Sequence, residues 1–470
     1  MIPIGLIGLG VMGSHLACNM LEKGFAVAGF DGDQKCRDLC ATHPELLADS
    51  FSLFSDLDTL IAALKPPRIL ILMITAGTPV DHLLAQCSLK LTRGDILMDG
   101  GNSHFTDTIR RHKAMAVHGI AFFGVGISGG AQGARHGPAI MLGGDRVPDA
   151  LWHLLQTISA RHQSQPCLIH AGPDGAGHFV KMVHNSIEYA DMQLLAESQF
   201  LLHNLMGLDY PDQARVFETW NQGDLAGYLT RITAQILRKI DPETGCPALD
   251  ILQDQVGHKG TGLWAVQAAL ELGVSTPNLT QALDARVMSG MQAERKAVRK
   301  RWPVHATKVK IFEQEWMIPA LAHALLAARI TVFAQGFKLL AAASQHYDWA
   351  LDLGAIAACW RGGCILQGTM PEWIHVAFRA NPGLEHLWLD PVLGQKTAAG
   401  FDLGRRVLAI ALGKELPVPN LTTALSCFDT FRQQHLWTRM VAAQRDCFGS
   451  HGFLRTDREG SVTWDWTLKQ

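Results

Sequence analysis

The 470 residues predict an α/β domain at the N-terminus, then a large all-α domain and a short C-terminal tail. Three observations carry that expectation. Short apolar runs alternate with helical periodicity as far as about residue 175, the breaker cluster Gly172-Pro173-Asp174-Gly175 ends the alternation, and long helical stretches separated by Gly- and Pro-rich turns follow. Strands are expected at Ile4–Ile7 and Ala121–Ile127 and at residues 26–31, 68–74, 95–99, 139–142 and 167–171, the pattern of a βαβ sheet. Helices are expected at residues 178–205 and 318–344. From about Arg445 the chain returns to short, turn-rich segments ending in an extended stretch at residues 462–466. The expected domains are residues 1–176, 177–440 and 441–470. A weak echo at an offset of 140 residues sets Glu218-Thr219-Trp220-Asn221 against Ala358-Cys359-Trp360-Arg361. A duplicated helical unit and a chance pairing of two tryptophans account for it equally.

Composition narrows the function classes. With 48% hydrophobic and 18% charged residues, the chain is a globular protein with a large core, not a disordered one. Its formal charge of −2 supplies no long-range field for nucleic acid or an acidic membrane, so an anionic ligand must meet a local cluster of cations. The ten cysteines stand singly, with no CxxC pair. Neither a secretory leader nor an uncharged apolar run of spanning length is read, so reduced thiols in a cytoplasmic protein are expected.

Gly8-Leu9-Gly10-Val11-Met12-Gly13 follows an apolar strand and opens a helix. The glycines permit a tight turn, close backbone approach to a pyrophosphate and close helix packing, the fingerprint of a Rossmann-type dinucleotide site. Asp31 lies 18 positions past Gly13, followed by Gly32 and Asp33. A carboxylate at the end of the second strand accepts hydrogen bonds from the adenosine ribose hydroxyls and repels a 2′-phosphate, so NAD is favoured over NADP. The plainer reading is that Asp31 and Asp33 cap a turn.

In the long helix, Lys181, His184, Asn185, Glu188 and Tyr189 share one face. A solvated stripe would look the same. The mixture of types favours chemistry: an amine that becomes a base when its pKa falls, a carboxyl that serves as an acid, and an imidazole and an amide between them. Two glycine-rich turns follow predicted strands, Asp99-Gly100-Gly101-Asn102-Ser103 and Gly126-Ile127-Ser128-Gly129-Gly130. Ligands of open α/β sheets gather at such strand ends. Lys259 and Thr261 lie in a flexible loop and Arg286 further on, where solvated cations are the ordinary reading.

Taken together, these segments resemble the 6-phosphogluconate dehydrogenase family over essentially the whole chain. The resemblance runs through residues 8–13, 98–103, 124–137, 175–192, 257–264, 285–289, 334–340, 360–365, 381–384, 423–425 and 443–449. It implies a Rossmann-type domain, a helical domain built on a duplicated unit, and a tail that enters the neighbouring subunit of a homodimer. It implies that Lys181 takes the proton of the substrate 3-hydroxyl while C3 gives hydride to the nicotinamide, and that protonated Lys181 supports loss of carbon dioxide. Glu188 then protonates C1 of the enediol to give ribulose 5-phosphate, and no metal is required. Asn102, His184 and Asn185 match substrate-orienting positions, and Ser128, Gly129 and Gly130 the substrate-binding turn. Tyr189, Lys259, Thr261 and Arg286 match positions around the sugar phosphate, and Arg445 and His451 match tail positions that reach the partner's site. The implied cofactor contacts are Gly8 to Gly13, Asp31 to Asp33, Met73, Thr75 and Asn102.

Three departures stand out. Where the family carries Asn-Arg-Thr this chain reads Asp31-Gly32-Asp33, and Thr75 replaces a common lysine, so two cations near the cofactor are gone and NAD is the expected acceptor. Ala131-Gln132 replaces a usual acidic pair. Two competitors are a non-decarboxylating dehydrogenase of another small hydroxy acid, which would not need Lys259, Arg286 and Arg445 together, and a catalytically silent dinucleotide-binding protein, against which Lys181 and Glu188 argue.

Overall fold

The computed structural model describes residues 4–47, 49–257, 260–304 and 311–466. Seven strands are numbered in chain order: β1 (Ile4–Ile7), β2 (Val27–Phe30), β3 (Phe51–Phe54), β4 (Ile69–Leu72), β5 (Ile96–Asp99), β6 (Ala121–Ile127) and β7 (Ile140–Gly143). With Leu168–Gly172 they form one eight-stranded sheet, in the order Leu168–Gly172, β7, β6, β5, β4, β1, β2, β3. Every pairing is parallel except β6 with β7. Ile-Leu-Ile-Leu in β4 is buried throughout, as expected of a strand covered on both faces. The strand order reverses at β1, which pairs with β4 on one side and β2 on the other, and the crevice of an open sheet lies at such a point. Strand β3 was not foreseen. It is an edge strand, paired only with β2 and half exposed, so its four residues carry no continuous apolar run.

Beyond the sheet the chain is helical. Helix Ala176–Asn204 packs on β6 and β7 and against Ile311–His346, the longest helix among the described residues. By length and composition Glu313–His346 could cross a membrane, but 78% of its most apolar window is buried within the protein, which makes it a core helix. Its one buried cation, Arg329, contacts Asp191 of Ala176–Asn204 at 2.7 Å.

The echo is a duplication. Trp220 ends helix Tyr210–Trp220 and Trp360 caps helix Leu353–Cys359; soon after each, Gly227 and Gly368 pair antiparallel with one another. A second echo, Pro277-Asn278-Leu279-Thr280 and Pro419-Asn420-Leu421-Thr422, opens the helices Pro277–Gly290 and Pro419–Arg432. Asn278 and Asn420 meet in the core, where Asn278 Nδ2 donates to Asn420 Oδ1 at 2.6 Å. Each backbone N–H finds a side-chain acceptor on the long helix of the other half: Asn278 on Gln335 Oε1 at 3.0 Å, Asn420 on Glu197 Oε1 at 2.9 Å.

The tail differs from expectation. Residues past Arg445 stay helical, in Thr438–Gly449, before a short hairpin of Phe453–Leu454 with Ser461–Val462.

Glu197 also accepts Leu421 N–H at 2.9 Å, so both carboxyl oxygens cap a helix start. Burial pushes its pKa from 4.5 up to about 7. The folded state therefore holds an extra proton between those values, and stability contributed by Glu197 falls as pH rises through that window. Glu197→Gln leaves one buried N–H facing an amide and is expected to destabilise by about 1–3 kcal/mol near pH 5. In thermal unfolding the penalty should shrink towards pH 7.

Candidate active site

The glycine turn between β1 and helix α1 (Val11–Glu22) is built by close approach. A Cβ at Gly8, where φ is +96°, would lie 2.4 Å from the Met73 carbonyl, and one at Gly13 would lie 1.9 Å from the Gly8 carbonyl. Gly10 differs: a Cβ there would meet nothing within 4 Å, so its bareness leaves an approach open in front of the helix N-terminus, where phosphate is favoured. Asp31 Oδ2 accepts Leu9 N–H at 2.7 Å and Oδ1 accepts Asp33 N–H at 2.8 Å. The carboxylate is thereby tied to the glycine turn. Asp33 itself caps helix Gln34–Thr42 by accepting Lys35 N–H, which is the plainer of its two readings. Gly32 is exposed, Met73 half buried and Thr75 exposed at the mouth of the crevice after β4.

Helix Ala176–Asn204 lies so close to β6 that a Cβ at Gly126 would fall 2.4 Å from Lys181 Cβ. That contact buries Lys181 to 7% exposure beside the Ser128 turn. Lys181 Nζ donates to Ser128 Oγ at 3.0 Å, Ser128 Oγ lies 3.3 Å from His184 Nε2, and His184 Nδ1 lies 3.3 Å from Asn185 Oδ1. Asn185 Nδ2 continues to Thr261 Oγ1 at 3.4 Å, and Glu188 Oε2 stands 3.8 Å from His184 Nδ1. Gly129, with φ +100°, packs against the Gly363 carbonyl and starts helix Gly130–His136. Asn102 is exposed on the turn after β5.

Electrostatics sorts these groups into roles. Burial lowers the Lys181 pKa, only partly opposed by the Glu188 charge; burial raises that of Glu188 against the pull of Lys181 and Arg286. Burial and the neighbouring Lys181 hold His184 well below its usual range, so its imidazole is neutral. A neutral amine and a protonated carboxyl on successive turns of one helix are a base and an acid.

At the other end, the Arg286 guanidinium sits 3.5 Å from the centre of the Tyr189 ring and donates to the Gly257 carbonyl at 3.0 Å. Thr261 opens helix Thr261–Glu271 beside them. Lys259 lies outside the described residues. Arg445 and His451 are exposed on the tail, and among the described residues no hydrogen bond or ion pair links them to the Lys181 cluster of the same chain.

Comparison with known proteins agrees over the whole chain. The NAD binding domain of 6-phosphogluconate dehydrogenase matches residues 3–172, and the C-terminal domain of 6-phosphogluconate dehydrogenase matches residues 177–466. The NADP(+)-dependent, decarboxylating 6-phosphogluconate dehydrogenase of Bacillus subtilis (strain 168) is 40% identical over 466 residues, 98% of each chain. Its NAD(+)-dependent counterpart from the same organism is 40% identical over 465 residues, 99% of each. The solved Plasmodium falciparum 6-phosphogluconate dehydrogenase superposes with a TM-score of 0.94 at 35% identity, covering 99% of this chain and 100% of that one.

The residue that sequence reasoning missed is Arg111. It is 1% exposed and ties the strand ends together, donating to Gly77 O at 2.9 Å, Ser103 Oγ at 3.2 Å and both oxygens of Asp81 at 2.9 and 3.0 Å, with Asp99 Oδ2 at 3.6 Å. Its hydrogen bonds hold Asp81 down to about 2. Nothing in the Arg110-Arg111 pair marks the second as buried. Arg111→Met strands Asp99 and loosens the Asn102 turn, and is expected to cost about 3 kcal/mol in unfolding experiments. It should also raise KM for the cofactor.

Proposed function

The chain belongs to the 6-phosphogluconate dehydrogenase family, and from that premise we propose that it oxidatively decarboxylates 6-phospho-D-gluconate to D-ribulose 5-phosphate and carbon dioxide, with NAD as the preferred acceptor. The observation that carries the reading is Lys181 held 3.0 Å from Ser128 in a buried pocket whose other ionisable groups are a neutral imidazole and a proton-retaining Glu188.

The open space at Gly10, the N-terminus of α1 and the carboxylate of Asp31 fit a dinucleotide. Gly8 to Gly13, Asp31, Gly32, Met73, Thr75 and Asn102 would line it; Asp33, already spent as a helix cap, would contribute charge alone. When bound, its nicotinamide takes the hydride from C3.

Lys181, as the neutral amine, accepts the 3-hydroxyl proton as that C–H bond breaks. The resulting ammonium then donates to the 3-keto oxygen, so the electron pair of the breaking C1–C2 bond is drawn towards a stabilised oxyanion. What leaves is carbon dioxide. Its departure makes the former C2 the terminal carbon of an enediol, and Glu188 delivers its proton to that C1 of the product.

Ser128, His184 and Asn185 form a directed chain that fixes Lys181 and orients the hydroxyls, with Asn102 and the Gly129-Gly130 turn beside them. Tyr189, Lys259, Thr261 and Arg286 take the phosphate; charge-assisted bonds of about 1.5–3 kcal/mol each favour a phosphorylated acid. Arg445 and His451 complete the site of the partner subunit in a homodimer, and the enzyme works in the cytoplasm. Asp31 stands for NAD: its carboxylate accepts ribose hydroxyls and repels a 2′-phosphate.

Initial rates with 6-phosphogluconate, run with NAD and with NADP while carbon dioxide is followed, test this reading. Equal amounts of reduced cofactor and carbon dioxide are expected, with the larger kcat/KM for NAD; a larger value for NADP overturns the cofactor assignment alone. kcat/KM should rise with pH as Lys181 loses its proton and fall as Glu188 loses its own. Lys181→Met should lower kcat by about 10³-fold or more, and Glu188→Gln should flatten the alkaline limb. A bell-shaped profile unchanged by either removes both from the chemistry.

A further inference from the structure

Asp446 is the one buried residue of helix Thr438–Gly449, and its surroundings are unusually demanding for a tail so exposed elsewhere. Its carboxylate gathers three N–H donors from separate places: Gly452 N at 2.9 Å on Oδ1, and Trp464 N at 2.9 Å and Trp466 Nε1 at 2.8 Å on Oδ2. Its own carbonyl accepts Ser450 N–H at 2.8 Å. The two residues so bound, Ser450 at φ +50° and Gly452 at φ +72°, flank His451, and Arg445 immediately precedes Asp446. Phe453 packs edge-on against Trp464 with ring centres 4.9 Å apart, closing the far side. Helix end, His451 turn and final strand are thus pinned to one carboxylate, whereas a loose tail would lose side-chain and loop entropy each time it engaged a ligand.

We propose that Asp446 is a positioning residue for the sugar phosphate, acting in trans: it sets Arg445 and His451 in fixed relation so that both enter the partner subunit's site together. This rests on the reading that those two residues serve the partner's site. An isosteric Asp446→Asn places an amide N–H₂ among N–H donors and breaks the hub while keeping its volume.

With NAD saturating, Asp446→Asn is expected to raise KM for 6-phosphogluconate by about ten-fold, leaving kcat and the KM for NAD within about two-fold, since a lost binding contact common to ground and transition states moves KM alone. Arg445→Ala is the reference. If Arg445→Ala leaves that KM unchanged, the partner-site reading is lost and this inference with it; if it raises KM and Asp446→Asn does not, only the inference falls. Trp466→Phe removes a single donor and should give a smaller rise. Should Asp446→Asn fail to yield folded protein, an unchanged KM in Trp466→Phe overturns the proposal. Co-expression of Asp446→Asn with Lys181→Met gives hybrid dimers in which the intact Lys181 is served by an unaltered tail. Return of the low KM in the hybrid supports action across the interface, and persistence of the high KM overturns it.

Discussion

Burying ionisable side chains along a single helix sets the terms for everything packed around it. Ala176–Asn204 carries Lys181, His184, Asp191 and Glu197 at under 10% exposure and Glu188 only slightly more open. An unpaired buried charge is costly, and the structure meets that cost in different ways at different points. Asp191 receives the Arg329 guanidinium, and Glu197 receives two backbone N–H groups. Lys181 and Glu188 receive no such partner. Burial is the largest influence on each, and it drives both towards their neutral forms. The satisfied groups hold the fold, and the unsatisfied ones are left for chemistry.

The duplication explains how the helix keeps its place. Glu197 of the first half caps a helix of the second, and Gln335 of the second half caps a helix of the first, so the halves are interlocked by reciprocal bonds. Setting Glu197 against Gln335 gives a register of 138 residues, in which Lys181, His184 and Glu188 fall opposite Pro319, Ala322 and Leu326. The second copy therefore keeps the scaffold and lacks all three reactive groups. Where the first copy has a carboxylate with two acceptors, the second has an amide, whose Nε2 instead returns a bond to Asn278 Oδ1 at 2.8 Å. Interlocking of this kind lets one helix be specialised while its counterpart supplies rigidity.

What was legible in the sequence follows from where each signal resides. The glycine turn depends on residues next to one another, so spacing alone located it. The stripe of Lys181, His184 and Glu188 was visible, but not its burial: Met182, Val183 and Ile187 on the other face are equally apolar to a periodicity argument, and only the sheet at Gly126 covers the polar side. Arg111 was invisible because its partners Gly77, Asp81, Asp99 and Ser103 come from two different strand ends. The duplication was half seen; the paired tryptophans were noticed, whereas the Pro-Asn-Leu-Thr repeat fixes the register far better. The tail misled because Gly449 and Ser450 stop its helix so soon after Arg445 that the short turn of helix between them reads as loop.

The case for NAD is sharpened by what holds Asp31. A carboxylate free to rotate could turn away from a 2′-phosphate, and its charge would then be a weak barrier. Here both oxygens are occupied, one by the Leu9 amide of the glycine turn and the other by the Asp33 amide, so the negative charge is fixed by the same bonds that shape the phosphate loop. Moving it would disturb the pyrophosphate site as well. Against this stands Arg37, whose guanidinium is bound to the Asp31 carbonyl and to Gln34 Oε1 within the same helix start. It places a cation near the carboxylate, though one committed to neutral acceptors that it would have to leave to meet a phosphate. The anion is held in place and the cation is held elsewhere, and that asymmetry favours the cofactor without the extra charge.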